Sequence, residues 1–180
     1  MTGARGHRPS RLAVRPTAAR VRGALYDSLG PSIEGAEVLD LFAGTGALGL
    51  EALRRGASRA VFVERDRERC QQIRQSLERA GLLARAQVYA DDAVAAVARL
   101  GRAGARFDLV VLDPPYGEAW VDRTLAVLVG AGVVRPGGLI VAEGHWRDRP
   151  ALPAGVVLAK EARYGETALW YIRVESEQQI

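Results

Sequence analysis

Cysteine is almost absent from this chain: among 180 residues there is one, Cys70. A single thiol cannot close an internal disulfide, and no Cys/His cluster has zinc-site spacing, so a disulfide scaffold and a zinc module are both excluded. The expectation is a reducing compartment, the cytoplasm, and no metal. Cys70 falls in a helical stretch and reads as packing, and the two histidines, His7 and His145, form no constellation. Long apolar runs are missing too. The longest uncharged stretch, Thr124 to Val134, lies between Arg123 and Arg135, well short of the ~18 residues of a membrane span. Met1 to Ser10 is polar and rich in Arg and Gly, without the apolar centre of a signal peptide. A soluble chain without a membrane partner is therefore expected, and it is taken as a monomer.

Lysine is reduced to Lys160, and arginine carries the positive charge. The net charge is +4, yet Arg5, Arg8, Arg11, Arg15, Arg20 and Arg22 all precede the first acidic residue, Asp27, so the remainder is net acidic. A basic arm segregated in this way is the electrostatic footprint for a polyanion such as nucleic acid. A codon preference for arginine would also raise the count, but it would not segregate the charge.

What the chain does contain is ordinary globular material: 48% hydrophobic and 26% charged residues in a length that suits one domain. Residues 1–30 read as a basic arm and a helix belonging to the same unit as the domain at 31–180. Thr17 is a candidate cap for a helix running to Leu29, with Val21, Ala24, Leu25 and Leu29 at helical spacing. Short apolar runs then alternate with helical stretches. Strands are expected at Glu37–Leu41, Arg59–Glu64, Ala86–Tyr89, Phe107–Leu112 and Leu139–Glu143, with helices at Ala47–Arg55, Arg67–Ala80, Ala93–Leu100 and Ala119–Val129. This alternation predicts an α/β fold of repeated βαβ units on a parallel sheet. After Pro150, Val156–Glu161 and Thr167–Val174 have no room for a crossover helix between them, so they should pair as a hairpin.

Two loops carry the chemistry. The first expected strand runs through Asp40-Leu41-Phe42-Ala43-Gly44-Thr45-Gly46-Ala47-Leu48-Gly49 into a helix, so Gly44, Gly46 and Gly49 spell G-x-G-x-x-G in the strand–turn–helix context that gives the motif meaning. Glu64, twenty residues after Gly44, ends the next strand at the distance where a carboxylate receives ribose hydroxyls. Both NAD and S-adenosylmethionine satisfy that pattern. Asp40, just before the loop, suits a cationic sulfonium better than a pyrophosphate. Asp92 reads either as a helix cap or, with Ala93, as a border of the adenine.

The second loop, Asp113-Pro114-Pro115-Tyr116, closes the fourth strand. Two prolines stiffen it and remove N–H donors, leaving acceptors beside an aromatic plate. The exocyclic amine of a nucleobase fits such a pocket: it donates to the Asp113 carboxylate and the Pro114 carbonyl while Tyr116 stacks on the ring. In-line methyl transfer to that amine needs no metal. Trp120 and Trp146 lie just beyond the fourth and fifth strands, either flanking the substrate pocket or packing at its rim.

Asp40 to Gly46 followed by Asp113 to Tyr116 resembles the class I S-adenosylmethionine-dependent amino-methyltransferases. With Arg15-Pro16-Thr17, Arg20-Val21-Arg22, the run from Asp40 to Ala52, Phe62-Val63-Glu64, Glu143 and Tyr164-Gly165-Glu166-Thr167, the chain is similar to the RsmD family. The resemblance implies a Rossmann-like, seven-stranded, mostly parallel sheet with an antiparallel strand in the C-terminal hairpin. It implies S-adenosyl-L-methionine as cofactor, held by Asp40, Ala43, Gly44, Gly46, Glu64, Asp92 and Asp113. It also implies methylation of N2 of a guanine in 16S rRNA, free or in a small-subunit assembly particle, with the segment carrying Arg15, Arg20 and Arg22 contacting the RNA or closing over the cofactor. The rival readings are a DNA amino-methyltransferase, for which the chain has no spare target-recognition region, and an NAD-dependent oxidoreductase, which leaves Asp113 to Tyr116 unexplained.

Overall fold

The computed structural model describes residues 16–115 and 119–176. Arg15 and Tyr116 therefore lie outside the described residues. Helix α1 spans Pro16–Leu29 and leads through a short 3-10 turn, Gly30–Ile33, into strand β1, Glu37–Leu41. Then follow α2 (Ala47–Arg54), β2 (Arg59–Glu64), α3 (Arg67–Arg79), β3 (Ala86–Ala90), α4 (Ala93–Arg102), β4 (Phe107–Leu112), α5 (Trp120–Ala131), β5 (Val134–His145), β6 (Val156–Tyr164) and β7 (Thr167–Val174). Thr17 does not cap α1, because the helix has already begun at Pro16; proline suits a first turn, where its missing N–H has no partner to lose.

The sheet order is β3-β2-β1-β4-β5-β7-β6. β1 to β5 run parallel, and β7 is antiparallel to both β5 and β6, so the seven-stranded sheet with its antiparallel strand is as the resemblance implies. Parallel strands covered on both faces must be apolar throughout. β1, β2 and β4 are apolar apart from Asp40 and residues at or near their ends, with Leu39, Val61, Val110 and Leu112 supporting one core, and Val38, Ala60, Phe62 and Val111 the other. The helices match each face. α4 buries Ala93, Ala96, Val97 and Leu100 in one continuous stripe, and α3 buries Cys70, Ile73 and Leu77. On the α3 side, Val21, Leu25 and Tyr26 of α1 join the same cluster, and the Tyr26 hydroxyl donates to the Leu48 carbonyl at 2.7 Å.

β5 is longer than its apolar run. It starts at Val134, pairs with Phe107, then slips register before Leu139 joins Leu109. The slipped segment is Arg135-Pro136-Gly137-Gly138, where proline offers no N–H to the ladder and Gly137 has φ +75°. Apolar patterning could not show a strand through it.

Strand order reverses between β1 and β4, which are neighbours in the sheet although the chain visits β2 and β3 in between. The loops leaving the carboxyl ends of β1 and β4 flank that switch point, where open α/β sheets bind ligands.

Candidate active site

Glycine and carboxylate together shape the loop after β1. Gly44 and Gly46 adopt φ +56° and +77°, and Phe42, unusually for a residue with a side chain, has φ +60°. A Cβ on Gly46 would press on Ile73 of α3, and one on Gly49 would enter the Phe62 ring of β2, so these two glycines serve close packing. Gly44 differs, because a Cβ there would meet only the Phe42 carbonyl oxygen at 3.9 Å. Its open side faces a cavity.

That cavity, about 380 Å³, is bordered by Phe42, Gly44, Glu64, Asp92, Asp113 and Pro114, with Arg65, Arg69, Asp91 and Trp120 completing much of its wall. Five of the residues singled out in the sequence thus converge on one space: Gly44, Glu64, Asp92, Asp113 and Pro114. Glu64 is 7% exposed, and both its oxygens are engaged: Oε2 accepts from Gly44 N at 2.8 Å and Oε1 from Asp66 N at 2.9 Å. The carboxylate therefore ties the glycine loop to the end of β2. Asp92 caps α4, its Oδ1 accepting from Val94 N and Ala95 N, each at 3.0 Å, and the residue also borders the cavity. Cys70 donates its thiol hydrogen to the Glu64 carbonyl from a buried position, in keeping with a packing role.

Asp40, Ala43 and Gly46 are not on the cavity wall. Asp40 is 1% exposed, and its Oδ2 accepts from Gly49 N at 2.9 Å while Oδ1 has no partner among the described residues. Burial pushes its carboxyl up to about 7, with the Gly49 N–H pulling the other way and the Asp113 and Glu64 charges adding to the rise. A group that binds its proton more tightly folded than unfolded makes the fold more stable as pH falls through its folded pKa. Between about pH 8 and pH 5 the Tm should therefore rise on acidification, and Asp40→Asn should flatten that rise by gaining relative stability at the alkaline end. Parallel Tm curves for the two proteins across this range would contradict the assignment.

A second cavity of about 280 Å³ adjoins the first, and Pro114, Pro115 and Trp120 border both. Its far side carries Glu143, Gly144, His145 and Arg149. Trp120 stands in the dividing wall, edge-on to Phe42 with ring centroids 5.9 Å apart. Glu143 has no motif of its own. Its place depends on register: Leu112 pairs with Ala142, so Asp113 and Glu143 are the next residues of neighbouring parallel strands. Burial raises both carboxyls, and the Asp113 charge raises Glu143 further, although Asp113 keeps surface exposed to the cavity. The two titrate as one system.

Of the basic residues assigned to RNA, Arg20 is exposed on α1 and Arg22 half-buried on the same helix. Among the described residues no group of His, Cys, Asp and Glu could hold a metal ion, and no described helix is long and apolar enough to cross a membrane.

Comparison with known proteins agrees with this architecture. The chain is 36% identical over 163 residues to ribosomal RNA small subunit methyltransferase D of Escherichia coli K12, covering 89% of this chain and 79% of that one. It is 31% identical to the protein of the same name from Haemophilus influenzae, over 84% and 79% of the two chains. Among solved structures, Escherichia coli yhhF superposes with a TM-score of 0.83 at 32% identity, covering 94% and 90%. An RNA methyltransferase from Salinibacter ruber, solved with S-adenosyl-L-homocysteine, shares the fold at a TM-score of 0.68 and 16% identity, over 90% and 95%. A family model described as conserved hypothetical protein 95 matches residues 5–173, and the chain belongs to that family, the RsmD family its motifs resemble.

Proposed function

We propose that this protein is an S-adenosylmethionine-dependent rRNA methyltransferase that modifies the exocyclic N2 amine of a guanine in small-subunit rRNA. The observation that carries the reading is the meeting of the two loops. Gly44, Glu64 and Asp92 border the same cavity as Asp113 and Pro114, and a second cavity begins on the other side of the proline wall. The names of the relatives favour rRNA as the substrate.

The larger cavity suits an adenosine bearing a cation better than a dinucleotide. The amides that would cradle a pyrophosphate are already used: Gly44 N by Glu64, Gly46 N by the Ala43 carbonyl and Gly49 N by Asp40. Carboxylates of Glu64, Asp91, Asp92 and Asp113 border the space, although Asp91 is paired with Arg99 at 3.0 Å. Glu64 and Asp92 would receive the ribose and adenine, and the open side of Gly44 would admit the rest of the cofactor. When bound, S-adenosylmethionine supplies a methyl group on a positively charged sulfur.

The chain's own residues supply the acceptor side. A guanine amine is a weak nucleophile because its lone pair is spread into the ring. The Asp113 carboxylate and Pro114 carbonyl, accepting its two N–H groups, favour a pyramidal nitrogen and fix it near the wall between the cavities; such positioning can supply up to ~7 to 11 kcal/mol of a barrier. Asp113 also stabilises the charge that develops on nitrogen and takes the released proton. Tyr116 would stack on the base. Arg15, Arg20 and Arg22 would meet RNA phosphates.

The test is transfer of labelled methyl to rRNA from cells lacking the gene, with the product nucleoside identified by mass spectrometry. N2-methylguanosine is expected, and an unlabelled RNA would end the reading. The same protein should melt higher with S-adenosylmethionine and unchanged with NAD. Removing Met1 to Arg15 should weaken RNA binding without altering cofactor binding. If all six arginines before Asp27 meet single-stranded phosphates, the log–log salt slope of the intact protein would be about −4, and deletion should flatten it. An equal slope in the truncated protein would remove the arm from the interface.

A further inference from the structure

Glu143 is a titratable group at the site for which the reaction described above has no use. It lies near the carboxyl end of β5, beside Asp113, which follows the last residue of β4, one position beyond the Leu112–Ala142 pair. Parallel neighbours lie about 4.8 Å apart, so the two carboxylates leave neighbouring backbone positions. They face different spaces: Asp113 borders the larger cavity and Glu143 the smaller, with Pro114, Pro115 and Trp120 between. Of the other acids around the smaller cavity, Asp122 already accepts from Ala151 N at 3.0 Å and Asp148 is exposed. Glu143 is half-buried and accepts no hydrogen bond among the described residues, and its charge is disfavoured both by partial burial and by Asp113. A partly desolvated acid facing a cavity is suited to a ligand that brings a donor.

Guanine brings a donor in the required place. On its Watson–Crick edge the N1–H lies next to the N2 amine and points the same way. Adenine and 2-aminopurine have a lone pair at N1 instead. We infer that Glu143 is a specificity-determining residue that accepts the guanine N1–H while Asp113 and Pro114 hold the N2 amine. The inference rests on the guanine reading above and extends it from the amine to the identity of the base. Discrimination then has two parts: a charge-assisted hydrogen bond to guanine, and carboxylate-to-lone-pair repulsion against a base with an unprotonated N1. His145 and Arg149 on the same cavity are available as donors for the guanine O6.

Glu143→Gln separates recognition from structure, because glutamine keeps the shape but can present a donor to N1. On rRNA lacking the modification, Glu143→Gln should transfer methyl about tenfold to a hundredfold more slowly than the parent, with the loss mainly in KM, while Glu143→Asp recovers part of it. Calorimetric affinity for S-adenosylmethionine and the Tm should stay near the parent's. On a synthetic RNA spanning the mapped site, with guanine or 2-aminopurine at the target, the parent should prefer guanine. Glu143→Gln should shift that preference toward 2-aminopurine, whose amine is retained and whose N1 accepts. If the parent's product is not N2-methylguanosine, the functional reading itself fails. If the product is N2-methylguanosine and Glu143→Gln keeps the parent's rate on rRNA, the role of Glu143 is overturned and the function stands. Should the parent ignore the synthetic RNA, the rRNA rate decides alone: loss with intact cofactor affinity and Tm supports the role, and parental turnover overturns it.

Discussion

Asp113→Ala is expected to lower single-turnover methyl transfer by about 10² to 10⁴-fold, the range in which a positioned acid or base contributes, while changing S-adenosylmethionine affinity much less. The asymmetry follows from geometry. The larger cavity has Glu64, Asp92 and the Gly44 backbone besides Asp113, whereas the amine proposed to sit at the proline wall would lose the carboxylate assigned to it. Methyl transfer leaves a positive charge and an extra proton on nitrogen, and in the proposed reaction Asp113 would stabilise the first and receive the second. Asp113→Asn should fall between the two, because an amide oxygen still orients an N–H but neither balances the charge nor takes the proton. Rapid-quench measurement with saturating cofactor reads the chemical step directly. A variant with unchanged turnover would remove Asp113 from the reaction.

Glu64→Gln should impair both folding and cofactor binding, although it swaps one oxygen for one nitrogen. Glu64 accepts two backbone donors, from Gly44 and Asp66. Glutamine has one oxygen, so one of these N–H groups would face an NH₂ in a site that is 7% exposed. Leaving a buried donor unpaired costs about 1 to 3 kcal/mol, and the Gly44 turn loses its anchor. The ribose hydroxyls would lose half of their acceptor as well. Calorimetry should show affinity for S-adenosylmethionine reduced roughly tenfold or more, with a lower Tm before any ligand is added. Glu64→Gln matching the parent in both measurements would show that the carboxylate neither shapes the loop nor binds the ribose.

The elements that sequence patterning placed well are those whose evidence is local. β1, β2, β4 and β7 have the expected bounds; β2, β4 and β7 are each a mainly apolar run ending at a charged residue, and β1 runs into the glycine loop. β5 was shortened because Pro136 and Gly137 break the pattern while Val134 still finds Phe107 across the sheet. At the site, Gly44, Glu64 and Asp92 carry local signatures and do share a cavity. Asp40 carries one too, yet its carboxylate turns inward to Gly49 N; the spacing of a motif does not say which way a side chain points. Glu143 has no local signature at all. It becomes part of the site only through the pairing of β4 with β5, and Trp120 only through its approach to Phe42, and neither relation is written in neighbouring residues.

The position of β7 bears on how the chain is made. It is the last strand in sequence but an interior one in space, lying between β5 and β6 and carrying the fully buried Trp170. During translation the flank of β5 that β7 will cover, including Ile140 and Ala142, therefore stays open until the final strand has left the ribosome. A nascent chain halted before Thr167 would expose an apolar ladder without a mate, the kind of edge that recruits other chains. Emergence of β7, rather than growth of the glycine loop, closes that flank.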